Sequence, residues 1–344
     1  MSVQLATVSF GALLVSWMIS MLLGYLHLKV MKHAKVYQPI NPDTPSSHQL
    51  KEGTPSLGGL FFLSGMTISA LIFGQSNQPY LFIPLISCWV FALIGLLDDI
   101  AKFVRKAPVG LKTSRKLAMQ VLAAALVLWL VSHFSALQLS TVVHPWNPTV
   151  SWNIGLWYPI IFLLYMVSFV NAVNISDGLD GLVAQVSLSP LALIAALAAL
   201  FAGGFHRFHV QSPIYEGGAS LLILAASAIG GMLAFLWYNC PKAQLFMGDT
   251  GSHAVGALIG VSALLLKVEL TIVVACAVFM AELLSSFIQI IAIRFFGKKI
   301  FLLAPLHHHY EKKGKGETKI VTRMQIFSTV ATAVSALLFF LTYR

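Results

Sequence analysis

Apolar residues gather in ten stretches of the chain, at 5–28, 57–75, 80–97, 117–138, 154–174, 183–202, 218–238, 251–267, 270–294 and 323–341. A hydrocarbon core takes roughly 20 mostly apolar residues of helix to cross. Each stretch therefore predicts a transmembrane helix, and no polar interval is long enough to build a soluble domain. The chain reads as one all-α polytopic membrane unit over 1–344 with about ten transmembrane helices. Residues 1–8 lack a basic start, and no small-residue cleavage site follows the first apolar run. That run reads as a retained span, not a signal peptide.

Composition sharpens this picture. The chain is 58% hydrophobic and only 10% charged, against about 25% charged in soluble domains. Its three cysteines, Cys88, Cys240 and Cys276, are scattered and odd in number. They suit neither a disulfide framework nor a zinc site. Loop charge then sets orientation. With the N-terminus outside, all of the 22 Lys and Arg except Arg207, Lys267 and Arg344 fall in inner loops or at their edges. Basic loops stay in the cytoplasm. The net charge of +10 is thus mostly a topology signal that also suits anionic lipid and substrate at the inner face. No nucleic acid partner is needed to explain it. Of the 12 Asp and Glu, only Glu216, Glu269 and Glu282 lie off that face.

Three acidic sites punctuate the apolar runs at their inner ends. Asp98-Asp99 closes the third run. Residues 171–182 (Asn-Ala-Val-Asn-Ile-Ser-Asp-Gly-Leu-Asp-Gly-Leu) close the fifth, and Phe246-Met247-Gly248-Asp249 opens the eighth. Carboxylates are costly in hydrocarbon, so three such sites on one face imply a shared task. Hard cations such as Mg²⁺ take oxygen from a few carboxylates plus substrate phosphates. The residues therefore predict metal-assisted phosphate chemistry at a cytoplasmic active site.

Local geometry refines each site. Neighbouring residues on a helix diverge by about 100°, so Asp98 and Asp99 are expected to do different jobs. The bland reading gives Lys102 as a helical partner of this pair. Steps of three place Asn171, Asn174, Asp177 and Asp180 on a drifting stripe, with Asn174 and Asp177 facing one pocket. Gly178 and Gly181 leave room for a ligand to approach the backbone. Asp249 is placed to cap the following helix, or to hold metal. Thr54 reads as an N-cap with Pro55 at the first helical position. Lys112 and Lys116 lie one turn apart. His307-His308-His309 cannot converge as a three-armed metal cage, but two of them suit phosphate contacts or acid–base work. Glu282, within the ninth run, is expected to find a local bond to Ser285 or Ser286 and is left out of the site.

Together these segments resemble the phospho-N-acetylmuramoyl-pentapeptide transferases, a family within the polyprenyl-phosphate N-acetylhexosamine-1-phosphate transferase superfamily. The likeness runs in order along essentially the whole chain. It is carried by Gly53-Thr54-Pro55 with Gly58-Gly59, Asp98-Asp99, the 171–182 run, Phe246 with Gly248-Asp249-Thr250-Gly251, and the His307-His308-His309-Tyr310-Glu311 loop. One departure shows: where the family has Gly-Trp-x-Glu, this chain has Gly314-Lys315-Gly316-Glu317.

The resemblance implies ten helices around a cytoplasmic active site in the bacterial cytoplasmic membrane. It implies transfer of phospho-MurNAc-pentapeptide from UDP-MurNAc-pentapeptide to undecaprenyl phosphate, giving lipid I and UMP in peptidoglycan synthesis, with Mg²⁺. By position, Asp249 would bind the metal, Asp98 would help activate the lipid phosphate, and Asp99 would stand close by. Asn174, Asp177 and Asp180 would shape the diphosphate site, with Gly178, Leu179, Asn239 and Phe246 around the uridine. Lys51, Lys102 and Lys116 would meet phosphates, and His307, His308 and His309 would close over the donor. A homodimer, and a lipid groove beside a bent ninth helix, are further implications. Two other functions compete: a related GlcNAc-1-phosphate transferase, against which the His loop speaks, and an ion-coupled transporter, whose coupling residues belong near the midplane.

Overall fold

The computed structural model describes residues 2–34, 37, 51, 53–74, 78–105, 107, 109–145, 147–203 and 212–341. Lys35, Asp43, Glu52, Lys106, Arg207 and Arg344, used in the charge assignment, lie outside them. The helices are α1 (Val3–Ala34), α2 (Gly59–Phe73), α3 (Pro79–Arg105), α4 (Thr113–Phe134), α5 (Tyr158–Ser176), α6 (Leu182–Ala202) and α7 (Ser212–Asn239). They continue with α8 (Gly248–Leu265), α9 (Glu269–Ala275), α10 (Ala277–Phe296), α11 (Leu306–Lys312) and α12 (Glu317–Leu341). Among the described residues, eight helices are long and apolar enough to cross a membrane. Two of the ten expected spans fall short of that description: α2 has 15 residues, and α8 carries Asp249, Thr250, Ser252 and His253 in its first two turns.

Helix α8 is the axis of the molecule. Every residue in it except Asp249 is buried, because other helices surround it on all sides. Small residues let them come close. A side chain at Gly256 would stand 2.7 Å from the Val170 Cα on α5, and one at Gly59 on α2 would stand 2.3 Å from the Gly251 nitrogen. Gly95 on α3 lies closer still, with a built Cβ 2.2 Å from the Asp249 carbonyl oxygen. Backbones packed this tightly gain dispersion contacts that lipid tails cannot match, which is how helices associate in membranes.

Three expectations are corrected here. The ninth run is not one helix: it breaks at Cys276 into α9 and α10, and α10 keeps Leu284, Phe287, Ile290 and Ile293 exposed on its outer side. Its buried stripe is Phe279, Glu282, Ser285, Gln289 and Ala292, so its one packed face is unusually polar. Second, Pro55 does not open a helix. It pairs in a bridge with Tyr37, and α2 starts at Gly59 after Gly58 and Gly59 have donated to the Phe246 and Met247 carbonyls at 2.8 and 2.9 Å. Third, the chain is mostly helical, as expected, but one interval read as plain loop is a hairpin. Between α4 and α5, β1 (Thr141–His144) and β2 (Asn147–Asn153) form an antiparallel hairpin. The buried Lys267, beyond the far end of α8, donates to the Thr141 carbonyl at 2.9 Å and anchors it.

The opposite end of the bundle is where chemistry collects. The last turns of α3, α5 and α7 and the first turns of α4, α8 and α12 all meet there.

Candidate active site

Asp98 and Asp99 follow Gly95 on the last turns of α3, and both are buried. They do different things. Asp99 turns to the start of α8 and accepts from the Asp249 nitrogen at 3.1 Å, the Thr250 nitrogen at 3.0 Å and the Thr250 hydroxyl at 2.8 Å. The cap on α8 is therefore Asp99 from another helix. Asp249, read from the sequence as either a cap or a metal ligand, lies one residue inside the helix, and its carboxylate is free for other partners. Asp98 accepts from the Leu111 nitrogen at 2.9 Å and pairs with Lys102 at 2.8 Å.

Two lysines knit these acids together. Lys102 Nζ, one turn beyond Asp98, also reaches Asp249 at 3.0 Å. The local helical pair is thus real but forms only part of a wider network. Lys116, from the first turn of α4, meets the other Asp249 oxygen at 2.5 Å and lies 3.9 Å from Asp98. Asn174 accepts from Lys116 at 3.4 Å and donates to Ser252 on α8 at 3.0 Å, so it fixes the lysine between α5 and α8. Lys112 is exposed and takes no part. Asn171 turns away from the site to Gln120, 2.8 Å away, and Gln120 touches His253 at 3.1 Å.

Asp177 stands apart. It follows the last residue of α5, and its carboxylate makes no hydrogen bond or ion pair with any described residue. Burial, then the charges of Asp249 and Asp99, push its carboxyl up to about 8. Asp98, Asp99, Asp177 and Asp249 make four carboxyl groups against two lysines. No three His, Cys, Asp or Glu among the described residues form a metal cage by themselves. Mg²⁺ generally takes only one or two carboxylates from a protein and completes its shell with substrate phosphates and water. A divalent cation beside Asp249 and Asp177 fits this donor set, since it supplies the charge the lysines leave unmatched.

Beyond α5 the helical stripe ends, and Asp180 leaves it. One Asp180 oxygen pairs with Lys51 at 2.7 Å and the other accepts from the Ala243 nitrogen at 3.0 Å. Lys51 also pairs with Glu317 at 2.6 Å, and Glu317 accepts from the Asp180 nitrogen at 2.6 Å. This three-membered latch joins the loop before α2, the 177–181 turn and the start of α12. Sequence reasoning noted Glu317 only as the end of a divergent segment. The signal was its spacing from Gly314, which survives although the aromatic residue does not. Lys315 instead lies over the Tyr310 ring, 4.7 Å from its centre.

Gly181 takes a left-handed φ of +77° and donates to Asn239 at 2.9 Å. Asn239 in turn donates to the Leu245 carbonyl at 2.9 Å. Leu179 is buried, and Phe246 is half-buried.

The histidines diverge, as consecutive residues must. His308 Nδ1 contacts Glu311 at 2.6 Å, and His309 Nδ1 accepts from the Leu302 nitrogen at 3.1 Å. His307 is buried against Glu282, 3.0 Å from Nδ1. Its ring fills the space at Gly178, where a Cβ would stand 2.3 Å from Nε2. The room expected there for a ligand is taken by this imidazole. Glu282 was the residue missed; Ser285 bonds only its backbone carbonyl, at 2.8 Å. A lone carboxylate in an apolar run was the signal. Beside it, α10, α11 and α12 enclose an apolar groove of about 400 Å³ lined by Val278, Leu306, Ile320, Met324 and Phe327, with Lys315 and Arg323 among its polar residues.

Known proteins resemble this chain over most of its length. The glycosyl transferase family 4 model matches residues 81–267. The chain is 33% identical over 326 residues to the phospho-N-acetylmuramoyl-pentapeptide-transferase of Vesicomyosocius okutanii subsp. Calyptogena okutanii. It is 34% identical to the proteins of that name from Desulfotalea psychrophila, over 328 residues, and Pelobacter propionicus, over 327. Each match covers 94% of this chain and 90% of the relative. With 33–34% identity over 94% of its length and the acidic sites of α3, α5 and α8 gathered at one place, the chain belongs to the phospho-N-acetylmuramoyl-pentapeptide transferase family.

Proposed function

We propose that this multi-pass membrane protein transfers phospho-MurNAc-pentapeptide from UDP-MurNAc-pentapeptide to undecaprenyl phosphate, forming lipid I and UMP in peptidoglycan synthesis. One observation carries the reading: Asp98, Asp99 and Asp249, from two helices, share Lys102 and Lys116 at one end of the bundle. Attack of one phosphate on another brings like charges together, and fixed cations lower that barrier.

In this reading a lipid phosphate oxygen bonds to the phosphorus that carries the sugar. The bond from that phosphorus to the bridging oxygen breaks, and UMP leaves. Lys102 and Lys116 turn from carboxylates to the arriving phosphates. Asp98 orients the acceptor phosphate, and Asp99 keeps α8 in place so that Asp249 faces both substrates. Mg²⁺, when bound at Asp249, supplies positive charge to the diphosphate. Lys51, Asp180 and Asn239 shape the nucleotide end, with Gly178, Leu179 and Phe246. The apolar groove beside α10 suits a polyprenyl chain.

The membrane setting follows the same logic. Inner-loop charge supports an outside N-terminus and a cytoplasmic active site in a bacterial cytoplasmic membrane, where a soluble nucleotide sugar meets a membrane-bound lipid. Ten spans, one integral-membrane unit over 1–344 and a homodimer complete the reading on the family resemblance. The test is direct. Purified protein with undecaprenyl phosphate, Mg²⁺ and UDP-MurNAc-pentapeptide should release UMP, and chelation should stop it. Release from UDP-GlcNAc alone would overturn the assignment.

A further inference from the structure

A charge inside a membrane helix is retained for a purpose, and Glu282 is fully buried on α10. Both of its oxygens are taken up by a single residue. The His307 nitrogen donates to Oε1 at 3.1 Å and to Oε2 at 3.3 Å, while Oε2 also stands 3.0 Å from Nδ1. A carboxylate in this place would only accept, a pairing that puts the proton on Nδ1 and leaves Nε2 as the open end of the ring.

That open end is placed with care. Nε2 is buried and has no hydrogen-bond partner among the described residues. It faces the backbone of Gly178, between Asp177 and Leu179, where any Cβ would collide with it. Unpaired buried polar atoms are rare and call for an explanation. Here the atom points at the turn that carries the unpaired Asp177.

We infer that Glu282 is a positioning residue for the donor site, holding His307 in one tautomer so that Nε2 accepts a hydrogen bond from a hydroxyl or N–H group of the nucleotide sugar. The inference rests on the transferase reading above. It makes α10 more than a wall for lipid: the helix that borders the apolar groove also sets the geometry of the nucleotide end, through one carboxylate.

The experiment is a double-mutant cycle on the full-length protein, read as UMP release from radiolabelled UDP-MurNAc-pentapeptide. If the unaltered protein releases no UMP, the transferase reading fails, and with it the role. If it is active, Glu282→Gln should lower donor kcat/KM on the order of tenfold to a hundredfold, as loss of a carboxylate behind a histidine does at metal sites. The KM for undecaprenyl phosphate should not move. The combination with His307→Ala should match His307→Ala alone, because a residue acting through another has nothing left to lose. Donor affinity by calorimetry on the same four proteins reads the cycle where turnover is too slow. Should Glu282→Gln not fold, Glu282→Asp, which keeps the charge but withdraws it by one methylene, takes its place. Unaltered donor kcat/KM in the single variant, or losses that multiply in the double, would overturn the role.

Discussion

Gly95 makes a demanding test of how the site is assembled. A Cβ built there stands 2.2 Å from the Asp249 carbonyl oxygen and 2.5 Å from the Thr250 nitrogen, whereas ordinary contact begins at 3.4 Å. Gly95→Ala therefore forces α3 and α8 apart by about 1 Å, since backbone cannot swing aside as a side chain can. Overpacking of this kind costs about 1–3 kcal/mol. The kinetic consequence should be larger than the thermal one. Asp98, Asp99 and Lys102 ride on α3 and Asp249 on α8, so the same shift separates the two halves of the charge network. Misplacement by 1 Å costs on the order of 10²-fold in rate. The assay is UMP release alongside thermal unfolding in one detergent. Gly316→Ala serves as control, because nothing lies within 4 Å of that exposed position. Turnover in Gly95→Ala within about threefold of the unaltered protein would refute the claim that this close approach sets the site.

Four further outcomes follow from the same geometry. Asp99→Asn exchanges one acceptor oxygen for a donor and leaves at least one Asp249 or Thr250 donor unmet, so unfolding should cost about 1–3 kcal/mol less; an unchanged melting temperature would contradict the cap. Asp249→Asn and Asp177→Asn should each lower turnover on the order of 10²–10³-fold or more while the protein still folds, and near-normal rates in both would remove the metal-site argument. Asp177 has its carboxyl raised from 3.8 to about 8, so without metal it contributes stability that is full below about pH 4 and is lost as pH rises through about 8. Melting temperature against pH should show that fall, and Asp177→Asn should flatten it; added Mg²⁺ should reduce it too, by favouring the ionised form. Glu317→Gln weakens the latch on Lys51 and Asp180, and should raise the donor KM while leaving the lipid KM alone.

Much of the architecture is legible in the chain because hydrocarbon is an exacting solvent. Runs near 20 residues must be helices, and loop lysines separate the two ends of the bundle. The acids 98–99, 177 and 249 stand out for the same reason, since each is costly unless it has a task. What a linear pattern does not carry is which partner each group finds. Asp249 reads equally as a cap or as a ligand until Asp99, 150 positions away in sequence, is seen to take the capping role. Gly178 reads as space for a ligand until His307 fills it. Glu282 looks self-contained beside Ser285, yet its partner comes from the far side of the α10–α11 turn. The break at Cys276 is also silent in hydropathy, because both halves are apolar.

The sequence alone determined the membrane class, the count of apolar runs and the residue types at the site, all consequences of one-dimensional spacing against the cost of polar groups in lipid. Tertiary structure decided the pairings: Asp99 on the start of α8, Lys102 and Lys116 on Asp249, Lys51 between Asp180 and Glu317, and Glu282 behind His307. Such pairings depend on which helix faces can approach, and that is set by small residues such as Gly59, Gly95 and Gly256 acting across the bundle. Their effect is a distance between backbones, a quantity defined only once the helices have packed.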